Sequence, residues 1–433
     1  MIGSPNSKIS GLSGSSVHPS SVTSLMIKER MNIPNQLTLK DSGLLCPQLP
    51  LVRCGKNAIL WVAAIFWAYL LAIQYHACYV TLLNNEMSDL RQHINFIPSI
   101  GTPRLPHPVF HYSTVWMAKL SGYSLQTASI CVLFFYNALT AVGLFCVLRV
   151  YLRGVLELAA VLVLLCSLMQ ISGVWLPSFH ERIFLGVGSP NVMHNPTTLV
   201  VKPFAIGVVL ALVTGVQAKQ ILKAVGLIFI AAVLAVLSTY AKPNFAIAML
   251  LAVPVIGSVF LITRKITVVR WMLMMCPVLA TILVLSVQWV AQYNPQSPNG
   301  IALSPMTIAT HYHKNPLLGA VQLMAFPLGV ALVCPRIFKD TLFSTAFMIF
   351  VVALVQYFLL AETGPRHLDG NFGWGKDIAS HAVFACALGY AVREVIVGGQ
   401  RGNALLLSCI ATLYVWHLWS GVNYFSRFGN ALF

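Results

Sequence analysis

The stretch Asn84–Thr114, NNEMSDLRQHINFIPSIGTPRLPHPVFHYST, places Glu86, Asp89, Arg91, Arg104, His93, His107 and His111 between two long apolar runs. Asp89 stands three residues after Glu86 and four before His93, so a helix here would put all three on one face. A carboxylate beside an imidazole can take a proton from a hydroxyl, or share a metal with it. Asp89 is the candidate base, with Glu86 as its alternate. The plainer reading is a pair of solvated charges at a helix end.

Four further segments carry ionisable groups in an otherwise apolar chain. Trp175–Pro203 holds His194, an amphipathic piece at 179–184, and the helix start Asn195–Pro196–Thr197–Thr198. Free backbone amides at such a start can face an anion. Lys202 follows on the same helix, where a buried ammonium is costly unless it has a task or reaches the interface. Lys242 occupies the proline-bearing turn Tyr240–Asn244, again as a ligand-facing amine or an interfacial anchor. His311 and His313 form an HxH pair with no acid beside them, a weak metal signal. ETGPRHLDGNFGWGKD, from Glu362 to Asp377, combines Glu362, Arg366, His367, Asp369, Trp374 and Lys376 with glycines that let backbone approach a ligand. It reads as a substrate-facing loop, or as a glycine-rich hairpin between spans.

The elements that must position these groups are membrane helices. The 433 residues are 58% hydrophobic and 9% charged, against about a quarter charged in soluble proteins. Mean hydropathy is +0.78. The expected fold is all-α, a transmembrane bundle of about 11 spans with short helices in the outer loops. The runs are 57–83, 127–149, 154–173, 198–217, 223–240, 244–262, 271–290, 317–335, 341–361, 378–397 and 404–424. Residues 1–50, rich in Ser, Pro and Asn and without an apolar stretch near Met1, read as a disordered cytoplasmic tail, and 51–433 as the transmembrane domain. The ten cysteines form no CxxC pair and read as small apolar residues. The formal charge of +16 is assigned to loops held at the cytoplasmic face, not to nucleic acid.

With the N-terminus inside, seventeen of the twenty-seven bases fall in inner segments, mostly in short loops. The positive-inside rule therefore favours N-in and C-out. That topology puts the histidine-rich loops and most acids on the outer face, along with Trp175, Trp289, Trp374, Trp416 and Trp419.

This arrangement resembles the GT-C superfamily of polyprenyl-phosphate-sugar-dependent glycosyltransferases, over about 57–424. Asp89 with Glu86 matches the acid motif of the first outer loop, and HPVFHYSTVWMAKL looks like the lead into the second span. The match is to small bacterial members that modify envelope polysaccharide. Two features depart from the pattern: Glu-Met-Ser-Asp replaces a DD or DxD pair, and no large soluble domain follows the last run. The resemblance implies an inverting transfer on the periplasmic side of the inner membrane. A lipid-phosphate sugar is the donor and a glycan or lipid-linked molecule the acceptor. Asp89 or Glu86 would be the base. Arg104, Lys202, Lys242 and Arg366, with His107, His111 and His194, would receive the phosphate. Glu362, His367, Asp369 and Trp374 would face the acceptor. No organic cofactor is expected, a divalent metal is left open, and no metal ligands are assigned. Two alternatives stand beside it: a polysaccharide polymerase or ligase, and a secondary transporter or flippase of a lipid-linked or anionic substrate.

The topology is testable by cysteine labelling from the outer side. Single cysteines introduced at position 100 should label and those at 267 should not; the reverse pattern inverts the assignment and removes the outer-face argument.

Overall fold

Each apolar run lies on a helix because a backbone in lipid must bond to itself. The computed structural model describes residues 50–102, 105, 107–153, 157–176, 187–292, 300–397 and 404–427. The expected tail lies outside these residues except for Pro50, where the first helix starts, and so do Arg104 and the amphipathic piece at 179–184. The helices are α1 (Pro50–Asn84), α2 (Asp89–Asn95), α3 (Val109–Ser121), α4 (Leu125–Leu152), α5 (Leu158–Leu168), α6 (Pro196–Gln217) and α7 (Ile221–Ala241). They continue as α8 (Asn244–Ile262), α9 (Val268–Gln292), α10 (Thr307–Tyr312), α11 (Pro316–Val333), α12 (Thr341–Leu359), α13 (Gly373–Val397) and α14 (Ala404–Arg427). The all-α expectation needs one addition, a short antiparallel ribbon of β1 (Ile301–Leu303) and β2 (Leu360–Glu362), with Ile301 opposite Glu362.

Among the described residues eight helices are long and apolar enough to cross a membrane: α1, α4, α6, α7, α8, α9, α11 and α12. The protein is a polytopic helical membrane protein. Of the three other expected runs, those at 378–397 and 404–424 lie on α13 and α14, which have 25 and 24 residues but are more polar. The core is built around α6, which packs on α4, α7, α12 and α13. Of its spanning stretch 72% is buried, against 17% for α1 at the periphery.

The run at 154–173 is not a full span. Its helix, α5, has 11 residues, and the chain then continues without regular structure through buried positions such as Ile171, Ser172 and Val174. Backbone polar groups at that depth need partners from other elements. Tyr75 Oη donates to the Met169 carbonyl at 2.8 Å, and Asn191 Nδ2 donates to that of Ile171 at 2.6 Å. The Val174 amide donates to the Gln322 carbonyl at 2.9 Å. α11 is also broken, at Met324 (φ −113°, ψ 15°), which sets the Phe326 amide toward a side chain. His417 serves both breaks. Its Nδ1–H donates to the Ser172 carbonyl at 2.8 Å, and its Nε2 accepts the Phe326 amide at 3.1 Å. α14 can lie this close because Gly421 has no side chain; a Cβ there would overlap the Gln170 carbonyl.

His417→Leu orphans one buried carbonyl and one buried amide, at about 1–3 kcal/mol each. The expected result is a lower unfolding midpoint in detergent, with the variant retaining ligand binding at the site described next below its own midpoint. An unchanged midpoint would show that this histidine does not hold the broken helices together.

Candidate functional site

The site grows from one helix start. α6 begins with Asn195 at its N-cap and Pro196 in its first turn, a position where a missing amide hydrogen costs nothing. Asn195 Oδ1 accepts the Thr198 amide at 3.2 Å, so the helix start that the sequence offered as a bare amide cradle is partly closed by its own cap. The same amide side chain reaches out on both sides. Its Nδ2 donates to Asp89 Oδ2 at 2.8 Å, and its Oδ1 accepts from Lys242 Nζ at 3.3 Å. Lys242 Nζ also donates to Thr197 Oγ1 at 3.1 Å.

Asp89 is the first residue of α2, whose N-cap is Ser88. Glu86 precedes this helix in an exposed turn, so the expected single face of Glu86, Asp89 and His93 reduces to Asp89 and His93. Asp89 Oδ1 has no hydrogen-bond partner among the described residues.

Lys242 lies between α7 and α8, 7% exposed. Its ammonium sits 5.3 Å from the centroid of Trp374, in the first turn of α13, and the His194 ring lies 4.9 Å from the same indole. Asn244, the first residue of α8, donates from Nδ2 to the Asn371 carbonyl at 2.6 Å, just ahead of α13. A Cβ on Gly375 would come within 2.9 Å of the Asn244 carbonyl. The N-termini of α6, α8 and α13 therefore meet around Lys242 and Trp374.

The 362–377 loop closes one side. Asn371 Nδ2 donates to Glu362 Oε2 at 2.7 Å. Arg366 Nε pairs with Glu362 Oε2 at 3.4 Å and with Asp369 Oδ2 at 3.0 Å, while His367 Nδ1 lies 3.0 Å from the Glu362 carbonyl. Arg366 and Glu362 both act electrostatically on Lys242. On another side, His93 Nδ1 and His111 Nε2 share a hydrogen bond at 3.1 Å, and His107 Nδ1 lies 3.4 Å from Gln288 Nε2.

Lys202 is placed elsewhere. It is 1% exposed within α6 and faces the charge of Asp377, not Asp89. Asp377 pairs with Lys376 at 2.7 Å. Gly188, at φ +84°, presses on this pair: a Cβ there would lie 2.5 Å from Asp377 Oδ1 and 2.6 Å from Lys376 Nζ. A cavity of about 30 Å³, room for a water or two, lies beside it among Tyr357, Trp374, Lys376 and Asp377. The phosphate candidates thus divide. Lys242 and His194 adjoin Asp89, Arg366 joins through charge, and His111 and His107 through His93. Lys202 belongs to a second, deeper cluster. Asn195, Thr197, Asn244, Asn371 and Asp377 were not among the expected site residues. The Asn-Pro-Thr-Thr helix start was the one sequence signal pointing to any of them.

The site is largely buried, with Lys242 and Arg366 set among Asp89, Glu362 and Asp369. Burial lowers Lys242 to about 8, with Asp89 working in the opposite direction. Burial takes His111 down to about 4. Burial, then His111, Lys242 and His107, hold His93 well below the usual imidazole range, and burial lowers His194 while Asp89 opposes it. These rings are neutral at pH 7, and one Nδ1 or Nε2 hydrogen joins His93 to His111. Burial raises Glu362, partly offset by Arg366 and Asn371. Among the described residues no three His, Cys, Asp or Glu side chains come together as a metal-binding set.

No family model matches the chain, and no curated protein proves similar to it.

The lowered Lys242 has a thermodynamic signature. Its folded value, about 8, lies below the free-lysine value of about 10.4, so between the two the unfolded chain binds the extra proton. Stability contributed through this group therefore rises with pH across that window, by up to about 1.4 kcal/mol per pH unit. Unfolding of wild type and Lys242→Met at pH 7.5 and 9.5 isolates it: the difference should move in favour of wild type at the higher pH. Parallel profiles would mean an amine that is not buried as a cation.

Proposed function

We propose that the protein is an integral-membrane glycosyltransferase that moves a sugar from a polyprenyl-phosphate donor to a glycan or lipid-linked acceptor. The observation that carries this reading is the link from Asp89 through Asn195 to buried Lys242, where three helix N-termini meet. It sets a candidate base one amide side chain away from a candidate phosphate site. The ammonium of Lys242 and the three helix N-termini are the groups that would bind a phosphate there.

In this reading Asp89 Oδ1 takes the proton of the acceptor hydroxyl. The hydroxyl oxygen bonds to the anomeric carbon as the bond from that carbon to the phosphate oxygen breaks. The electron pair leaves with the phosphate, whose added charge Lys242 and Arg366 offset. Trp374, buried beneath Lys242 and beside His194, backs the phosphate site. The 30 Å³ cavity lies by Lys376 and Asp377, apart from Lys242, and is too small for a sugar phosphate; in this reading the loop at 363–372 opens to admit the donor beside Lys242. The broken α5 and α11 favour a second reading, a transporter of an anionic substrate, since transporters build sites from interrupted helices. Against it, the interrupted segments bond to His417, and the cationic cluster lies at the helix ends.

The test is transfer of labelled sugar from a polyprenyl-phosphate donor by purified variants. Asp89→Asn can still accept from Asn195 but cannot take a proton. It should lose about a hundred- to ten-thousandfold in rate with donor binding kept. Lys242→Met should lose donor binding, and Glu86→Gln should stay near wild type. Transfer by Asp89→Asn within a few-fold of wild type removes this mechanism. Substrate movement without transfer, in wild-type vesicles, replaces it with the transporter reading.

A further inference from the structure

The other end of α6 carries a second feature, independent of the reaction proposed above. α6 has 22 residues, so its C-terminus lies about 33 Å from the Asn195 cap. There the α6–α7 connection and the α8–α9 connection border an open cleft of about 670 Å³. Lys219, Arg264, Lys265 and Arg270 line it, with no acid in the lining.

Two of these bases are committed to the fold. Arg270 Nη1 donates to the carbonyls of Gly215 at 3.0 Å and Val216 at 2.7 Å, and Nη2 donates to that of Ala218. Its guanidinium thus satisfies the last turn of α6 and remains a fixed positive charge in the cleft wall. Lys265 Nζ donates to the Lys339 carbonyl at 2.9 Å. The other two, Lys219 and Arg264, are exposed and have no side-chain partner among the described residues. Arg264 occupies φ +56°, a left-handed position that usually falls to glycine or asparagine. α9 begins in the same lining, where Thr267 Oγ1 accepts the Arg270 amide at 3.4 Å, and its N-terminus adds a positive dipole end. Val268 in the lining is 58% exposed, and Leu222 in the first turn of α7 and Ile262 at the end of α8, beside the two connections, are 83% and 80% exposed.

We infer that this cleft binds an anionic glycerophospholipid, its phosphate between Lys219 and Arg264 and its acyl chains along Leu222, Ile262 and Val268. Charge without an acid selects an anion. Adjoining apolar surface at helix ends selects one with hydrocarbon attached. The cleft volume falls within the ~300–1,000 Å³ of small-molecule sites. By the base distribution this is the expected cytoplasmic end, where a basic recess between helices meets anionic lipid. A free phosphate would use the charges and leave the aliphatic rim unused.

The experiment uses the full chain in phosphatidylcholine nanodiscs titrated with dioleoylphosphatidylglycerol, with bound lipid counted by native mass spectrometry. Wild type should retain phosphatidylglycerol in preference to phosphatidylcholine. Lys219→Gln with Arg264→Gln should weaken that binding about 30-fold, near fivefold per base. Both side chains are exposed, so the fold should survive, and an unchanged unfolding midpoint checks this. The control pair Arg153→Gln with Lys223→Gln removes two exposed bases outside the cleft lining and should stay within about threefold of wild type. Equal losses in both pairs would mean general surface charge and overturn the site. Equal retention of the two lipids would overturn it too. Displacement of the lipid by inorganic phosphate at millimolar concentration would assign the cleft to free phosphate instead.

Discussion

Burying an ammonium is the constraint around which the site end of this bundle is arranged. Lys242 sits where the N-termini of α6, α8 and α13 meet, and each helix end adds positive potential to a positive charge. Left alone, such an amine would shed its proton. Asn195 makes the position tenable by accepting from Lys242 on one atom and donating to Asp89 on another, so a carboxylate is held near the ammonium without a direct ion pair. An indirect link leaves each charge a free direction. That separates this cluster from the neighbouring Lys376–Asp377 pair, whose contact at 2.7 Å closes both groups on each other.

The helix carrying Asn195 is fixed at both ends by side chains from elsewhere. Lys242 and Asp89 hold its first residues, and Arg270 holds its last carbonyls. With α4, α7, α12 and α13 packed on its flanks, α6 is the most constrained spanning element. The same logic governs the interrupted helices. α5 stops after 11 residues, and the exposed backbone that follows is taken up by Tyr75, Asn191, Gln322 and His417. Polar side chains inside the bundle thus act chiefly on backbone, and those at its end act on one another.

How much could be read in advance follows from which forces are local. Spans were legible because lipid demands about twenty apolar residues from each one, whatever its neighbours. The run at 154–173 misled because its break is held by partners as distant as His417, while only Glu157, Ser167, Gln170 and Ser172 interrupt its apolar composition. Lys242 stood out as a charge in an apolar context, and Asn195 as a helix cap. Their bond spans 47 positions, which no local pattern reports. The sequence put Asp89 ahead of Glu86 but on one helix face with it; Ser88 separates them by starting the helix between them. Lys202 and Lys242 looked alike as costly lysines. Helix geometry sets Lys202 about two turns past the Asn195 cap, against Asp377.

The proposed chemistry and the small volume beside it are reconciled by the loop at 363–372. Its hold on the cluster runs through Asn371, which bonds Glu362 with its side chain and Asn244 with its carbonyl. Tyr312 Oη also donates to the Leu368 carbonyl at 2.6 Å and the Thr363 amide to the Gly300 carbonyl at 2.9 Å, while Arg366 and Asp369 pair with each other at 43% and 47% exposure. Surface pairs of that kind contribute little, on the order of 0–1 kcal/mol. Opening the loop therefore breaks the two Asn371 bonds and the Tyr312 bond to the Leu368 carbonyl. An incoming phosphate would offer Lys242 and Arg366 charge-assisted bonds, which are about twice as strong as neutral ones. In the proposed reading an anionic ligand is what would tip the balance toward an open, occupied site, so the buried ammonium that is costly when unoccupied is also what would select its occupant.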